Sequence, residues 1–233
     1  MPGVKTTNFT GIRQPEAWPR EVFDSDCREC PRLGAFLHDV RRERPDYHAH
    51  PVPPFGDRGA ALLVVGLAPG MHGANRTGRP FTGDFAGILL YRTLHRRGFA
   101  SHAGSADPND ALTLLGCRVT NAVKCLPPQN KPAPAEIRCC NRYLSAELAN
   151  YPPKAVLALG RIAHDAVLRA RGLGVAGYRF AHHAVHDLPD GMRLFDSYHC
   201  SRYNTQTKRL TEAMFEAVVR DIAEYLGVSA EVD

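Results

Sequence analysis

The sequence predicts an α/β fold with a mostly parallel sheet, on three observations. Short continuous apolar runs alternate with segments of helical periodicity. Each run ends in glycine, proline or polar residues, as a buried parallel strand does. The composition is that of an ordinary globular chain: 233 residues, 44% hydrophobic and 23% charged. Disorder, collagen and coiled coil are thereby excluded for the bulk of the chain. The length suits one large domain or two small ones, and it buries a substantial core without staples.

Residues 1–60 form a proline-rich segment, with proline at 2, 15, 19, 31, 45, 51, 53 and 54, which blocks long regular elements. One short helix fits there, over Arg32–Arg42, where Leu33, Phe36, Leu37 and Val40 follow helical spacing. The texture changes after Gly59. Ala61–Leu67 reads as a first buried strand, stopped by Pro69-Gly70. Asp84–Arg97 reads as a helix, carrying Phe85, Ile88, Leu89 and Tyr91. Gly116–Val123 is the second strand, and Pro127 to Pro132 is a loop by composition. Pro134–Asn150 is helical, with Ile137, Leu144 and Leu148 on one side. Ala155–Gly160 and Met192–Tyr198 are the third and fourth strands, and Arg161–Arg171 and Thr211–Leu226 complete the helices. No internal repeat is present.

The N-terminus lacks the apolar stretch of a secretory signal, and the longest apolar run, about Gly59 to Ala68, is too short to span a bilayer. The expected location is the cytoplasm, with no membrane partner. Seven cysteines, an odd count, fit a closed disulfide framework poorly and a reducing compartment well. The net charge of +5 permits a polyanionic partner without requiring one.

In open α/β sheets, ligands bind beyond the carboxyl ends of the strands. All four strand ends carry unusual residues. The first turn, from Gly66 to Asp84, holds Gly66, Gly70, Gly73, Gly78 and Gly83, which let backbone approach a ligand. Arg76 and Arg79 add cationic donors suited to phosphate. Asp84 stands at a helix start, either as an N-cap or as a carboxylate able to orient water and offset positive charge. Phe81 is either core or a stacking platform for a flat ring. Asn121, late in an apolar strand, is either a satisfied structural amide or a reader of an amide-like base edge. His199, at the fourth strand end, is read as functional, whereas His182 and His183 are read as surface or loop residues.

Cys27 and Cys30 form C-x-x-C without the βα unit of a thioredoxin-type site. Alternatively they are half of a four-thiolate site completed from Cys117, Cys125, Cys139, Cys140 or Cys200, and four thiolates hold either zinc or an iron–sulfur cluster. Cys117, Cys139 and Cys200 are read as scattered buried thiols.

These residues carry a resemblance. Gly66-Leu67-Ala68-Pro69-Gly70, continuing from Asn75 through Asp84, resembles the first motif of the uracil-DNA glycosylase superfamily, most closely its iron–sulfur family five, or type B. Thr120 to Cys125 with Pro127-Pro128 resembles the second block of families four and five. His199, Ser201, Asn204 and Thr205, then Arg209-Leu210-Thr211, resemble the closing motif. The likeness runs from Cys27 to about Leu226, and its long first motif is specific.

The resemblance implies a three-layer α/β/α sandwich forming a single domain over 1–233. It implies a 4Fe–4S cluster on Cys27, Cys30, Cys125 and Cys140, structural rather than redox-active, that pins the N-terminal segment. Cys140 is preferred to Cys139 because it stands three residues before Tyr143-Leu144, as in the family pattern. The implied function is base-excision repair: a monomeric, nucleoid-associated glycosylase takes uracil, and other deaminated bases such as hypoxanthine, from double- or single-stranded DNA. It flips out the base and hydrolyses its N-glycosidic bond to leave an abasic site. Asp84, His199 and Asn121 would be catalytic. Gly66, Ala68, Gly70, Phe81, Asn121 and His199 would hold the base, and Arg76, Gly160, Arg161, His164, Ser201 and Arg202 the DNA. Where many relatives carry an acidic residue or asparagine, this chain has Ala68, which leaves Asp84 as the nearby carboxylate. It also reads His199-Cys200-Ser201 for the usual His-Pro-Ser, which removes a rigid φ.

The alternatives are a non-catalytic or covalent uracil-DNA-binding iron–sulfur protein and a zinc-stabilised nucleotide-binding module. The covalent form carries a basic insert after the first motif, and none lies between Gly70 and Phe81. Residues 212–233 hold one basic and six acidic residues, so 1–211 carry 28 Lys plus Arg against 18 Asp plus Glu, or +10. The body that holds every motif therefore has the sign a phosphate-tracking surface needs.

Overall fold

A computed structural model describes residues 17–228. Within them the chain runs α1 (Pro31–Glu43), β1 (Phe55–Gly56), β2 (Leu62–Gly66), α2 (Ala74–Thr77), α3 (Phe85–Arg96), β3 (Cys117–Asn121) and α4 (Pro134–Asn150). It continues through β4 (Ala155–Leu159), α5 (Arg161–Ala170), β5 (Val185–Asp187), β6 (Arg193–Ser197), α6 (Arg202–Gln206) and α7 (Glu212–Leu226). The six strands form one sheet in the order β1-β3-β2-β4-β6-β5. β3, β2, β4 and β6 are parallel, and β1 and β5 pair antiparallel at the two edges.

Alternation across the sheet explains the layers. Leu62, Val64, Val119, Leu157 and Phe195 face one side and pack on α3 and α7, through Leu90, Leu94, Phe215 and Val219. Leu63, Val65, Val156, Ala158 and Leu194 face the other side and meet Leu144 and Leu148 of α4 and Val167 and Leu168 of α5. The central strands are buried on both faces, which is why they read as unbroken apolar runs. The result is a helix–sheet–helix sandwich. The four long strands and five long helices fall within a residue or two of their sequence-predicted spans. β1, β5, α2 and α6 were not predicted, being too short to show a period.

A buried charge hub ties the N-terminal segment to this frame. Arg118 on β3 donates to Glu147 on α4 at 2.8 Å and to the carbonyls of Asp57, Arg58 and Tyr151. Lys124 reaches the other Glu147 oxygen at 3.4 Å and also bonds Thr120. All three ionic side chains are essentially inaccessible, so each charge depends on the others. The acidic C-terminal helix is likewise paired: Glu212 and Glu216 on α7 bridge to Arg92, Arg96 and Arg97 at the end of α3. Among the described residues, no helix is long and apolar enough to cross a membrane.

Candidate active site

β2 sends the chain to one side, toward β3, and β4 sends it to the other, toward β6. A topological switch point therefore lies between the carboxyl ends of β2 and β4, where open sheets of this kind place their crevice. A cleft of about 600 Å³ opens there, lined from four strand ends by Ala68 and Gly70, Asn121, Gly160, and His199 and Ser201. Phe81 and Asp84 complete it from the turn that leads into α3.

Register and the missing side chain of Gly66 build the floor. Gly66 is the partner of Asn121 at the ends of β2 and β3. A Cβ on Gly66 would overlap Asn121 Oδ1 and stand 2.6 Å from Phe81 Cζ, so only glycine lets both side chains close over this strand end. Asn121 is buried, and its Oδ1 has no hydrogen-bond partner among the described residues. A buried amide left this way costs free energy unless a ligand or water satisfies it. Phe81 has φ +53°, a left-handed backbone uncommon for a bulky residue. That conformation turns its ring over Gly66, near-parallel to the His199 ring at a centroid distance of 6.0 Å. The Phe81 carbonyl also sits against Gly87, where any Cβ would collide with it.

Asp84 takes the capping role open to it in the sequence and also lines the cleft. It is the N-cap of α3, with Oδ1 accepting from the Gly87 N–H at 2.8 Å. Its Oδ2 lies beside Gly70 and Gly73, and a Cβ at Gly73 would run into the carboxylate. Burial raises its pKa above the usual carboxylate value, while N–H bonds from Gly87 and Ala86 oppose the rise. Burial also lowers the pKa of His199 to about 4, so its ring is neutral at physiological pH. Neither ring nitrogen of His199 has a hydrogen-bond partner among the described residues, whereas its backbone carbonyl accepts from Asn204 Nδ2 at 2.8 Å. The Ser201 hydroxyl caps α6, and Cys200 is fully buried. The closing turn is thus fixed by a side-chain bond, a cap and a core sulfur.

The DNA-contact expectations divide. Gly160, Arg161, Ser201 and Arg202 line the cleft, and Arg202 lies over the Phe85 ring. Arg76 stands apart from the lining and donates to the His72 carbonyl at 2.8 Å, with its guanidinium against Gly83. The expectation for His164 is corrected: it is fully buried on α5. Nδ1 lies 2.8 Å from Asp196 and Nε2 3.0 Å from the Tyr178 carbonyl, so the ring has nothing left for a phosphate. Arg79 is corrected likewise, being buried and bonded to Asp110, Thr82, Ser105 and the carbonyls of Asp107 and Pro108. The sequence reading missed the exposed apolar residues Phe85 and Ile162 at the rim of the cleft. The only signal was an apolar residue at a helix start or on its outer face, which alone is ordinary. Asn130, which also lines the cleft, was hidden in a loop assigned by composition.

Cys27, Cys30, Cys125 and Cys140 converge between α1, the segment after β3, and α4. Burial, with the neighbouring Cys140, Cys27 and Cys30, raises the pKa of the Cys125 thiol. Burial and Cys139 raise that of Cys30 to about 12. Four thiolates could not coexist here without a compensating cation, which a metal ion or cluster would supply. The donor set therefore fits a four-thiolate centre. Ala68 packs against this cluster and also lines the cleft, so the two sites share a wall. Cys139 is corrected from a scattered buried thiol: it is partly exposed and lines the same cavity.

A family model described as the uracil DNA glycosylase superfamily matches residues 53–223. A type-5 uracil-DNA glycosylase of Thermus thermophilus is 49% identical over 208 residues, covering 87% of this chain and 94% of the relative. One from Mycobacterium tuberculosis is 42% identical over 213 residues, covering 88% and 80%. One from Pyrobaculum aerophilum is 37% identical over 222 residues, covering 93% and 97%.

Proposed function

Because the chain belongs to the uracil DNA glycosylase superfamily, we propose that its cleft receives a uracil flipped out of DNA and is where the N-glycosidic bond is hydrolysed. The protein is a DNA repair glycosylase. The observation that carries the site assignment is the unpartnered buried amide of Asn121, beneath the near-parallel rings of Phe81 and His199. A uracil edge offers the amide both a donor and an acceptor, and the ring face of Phe81 offers the base its stack.

The chain's own residues divide the work. Asn121 fixes the base by its polar edge. His199 is neutral and donates an N–H toward the base oxygen on which charge grows as the bond breaks. The sugar acquires oxocarbenium character, and the Asp84 carboxylate offsets that charge and orients the attacking water. Gly160, Arg161, Ser201 and Arg202 hold the strand at the mouth, with Arg76 beside the turn. The same reading extends to other deaminated bases, with hypoxanthine as a second substrate.

Cys27, Cys30, Cys125 and Cys140 hold a 4Fe–4S cluster in this reading. When bound, the cluster supplies a structural crosslink between the N-terminal segment and α4, not redox chemistry.

The reading is tested by incubating the protein with duplexes carrying one uracil, hypoxanthine or thymine, then cleaving abasic sites with alkali. Strand breaks at uracil and hypoxanthine and none at thymine are expected. No break at uracil above a protein-free control overturns the reading.

A further inference from the structure

Far from the cysteines, at the opposite edge of the sheet, His164 on α5, His186 on β5 and Asp196 on β6 bring three donor atoms within 4.8 Å of one another. We propose that His164, His186 and Asp196 form a binding site for a divalent transition-metal cation of the zinc class. Neither DNA binding nor the catalytic reading needs these residues.

The hydrogen inventory of the cluster leads there. His164 Nε2 lies 3.0 Å from the Tyr178 carbonyl, which can only accept, so Nε2 carries the hydrogen and Nδ1 presents a lone pair. That lone pair faces Asp196 Oδ1 at 2.8 Å. Two acceptors so close require a cation between them, either a proton or a metal. His186 Nε2 stands 3.3 Å from the second Asp196 oxygen, where the neutral ring presents a hydrogen or a lone pair according to its tautomer. Tetrahedral zinc with ligand bonds of about 2.0–2.1 Å sets its donor atoms about 3.3 Å apart. The three donor atoms lie within 4.8 Å of one another, so side-chain rotation that brings one Asp196 oxygen to both histidines closes them to that spacing. The Tyr178 carbonyl on the far nitrogen of His164 is the support metal-bound histidines characteristically have.

Access and chemistry agree. His164 and Asp196 are inaccessible, but the His186 side chain is 15% exposed, which leaves an entry path and a fourth position for water. Two imidazoles and one carboxylate suit zinc and its neighbours rather than magnesium, which prefers oxygen ligands and keeps its waters. Binding displaces the proton shared by His164 and Asp196 into solvent, with no change of oxidation state. Asp196 lies three residues before His199, and His182 stacks on Tyr198 at 5.1 Å, so a bound ion would brace the closing turn from behind.

The test uses the full chain purified with its iron and equilibrated at buffered free zinc concentrations. Zinc and iron per chain are measured by elemental mass spectrometry, and thermal melting is followed with zinc or magnesium. The wild type should take up one zinc more than His186→Ala at equal iron content. The variant should bind that zinc at least about 100-fold more weakly, because even loss of a supporting bond costs up to that factor. Zinc, but not magnesium, should raise the melting temperature of the wild type only. Asp196→Asn, nearly isosteric, should behave as His186→Ala does. Equal zinc in wild type and both variants, which places the metal elsewhere, or no zinc in the wild type, overturns the proposal.

Discussion

Asp84→Asn separates catalysis from stability more cleanly than any other change to the cleft. The amide keeps an oxygen where Oδ1 accepts from Gly87 at 2.8 Å, so the cap of α3 survives. What disappears is a negative charge held where burial disfavours it. The sign of the stability effect follows. A carboxyl whose folded pKa lies above its unfolded value binds more protons folded than unfolded between the two. Stability therefore falls as pH rises from 3.8 through that window and stays lower above it. Removing the charge should leave stability at neutral pH unchanged or slightly higher. Turnover should fall by about 10²–10⁴-fold, the range for losing a positioned base or a preorganised transition-state charge. Single-turnover excision from a uracil duplex gives the rate, denaturant melts give the stability, and a gel shift confirms retained DNA binding. In the wild type the acid limb of kcat/KM should fall where Asp84 and His199 protonate, and the variant should lose the Asp84 component. Asp84→Ala, which also loses the cap, should cost about 1 kcal/mol in addition. A variant that turns over within a few-fold of wild type would reduce Asp84 to a helix cap.

Three further outcomes are expected. Gly66→Ala drives a methyl into Asn121 and Phe81, and should abolish saturable excision while the melting temperature drops by only a few degrees. Cys140→Ser should lose bound iron and its visible absorbance, whereas Cys139→Ser should retain both, as metal analysis of freshly purified protein will read. Glu147→Ala leaves Arg118 and Lys124 buried without their counter-charge, and should cost about 3–5 kcal/mol in denaturant unfolding.

The legible parts of the molecule are those whose signal is local. β2 and β4 are apolar on both faces, so their sequence runs are unbroken and their ends sharp. α4 announces itself by Pro134 at its first turn and by the spacing of Ile137, Leu144 and Leu148. Gly66, Asn121 and His199 stand out in the sequence because glycines and polar residues at strand ends are conspicuous. The errors concern partners distant in sequence. Nothing near Arg79 announces Asp110, 31 positions away, which with other acceptors removes it from the surface. His164 is different, because a closer look at its helix would have placed it. It shares a stripe with Ala163, Val167 and Leu168, the buried side of α5. Cys140 was distinguished from Cys139 by family pattern, and the same helical logic supports it, since Ile137, Tyr143 and Leu144 are its buried neighbours at three and four positions. β1 and β5, two and three residues long, exist only because neighbouring strands offer them an edge.

The central claim, that the cleft between β2 and β4 holds an extrahelical base, is tested most directly by a crystal structure of the Asp84→Asn variant bound to a uracil-containing duplex. The account predicts uracil outside the helix, its face on Phe81, its polar edge on the Asn121 amide, and its backbone passing Arg161 and Arg202. Uracil stacked within the duplex, or lodged where Asn121 and His199 make no contact with it, would contradict the account.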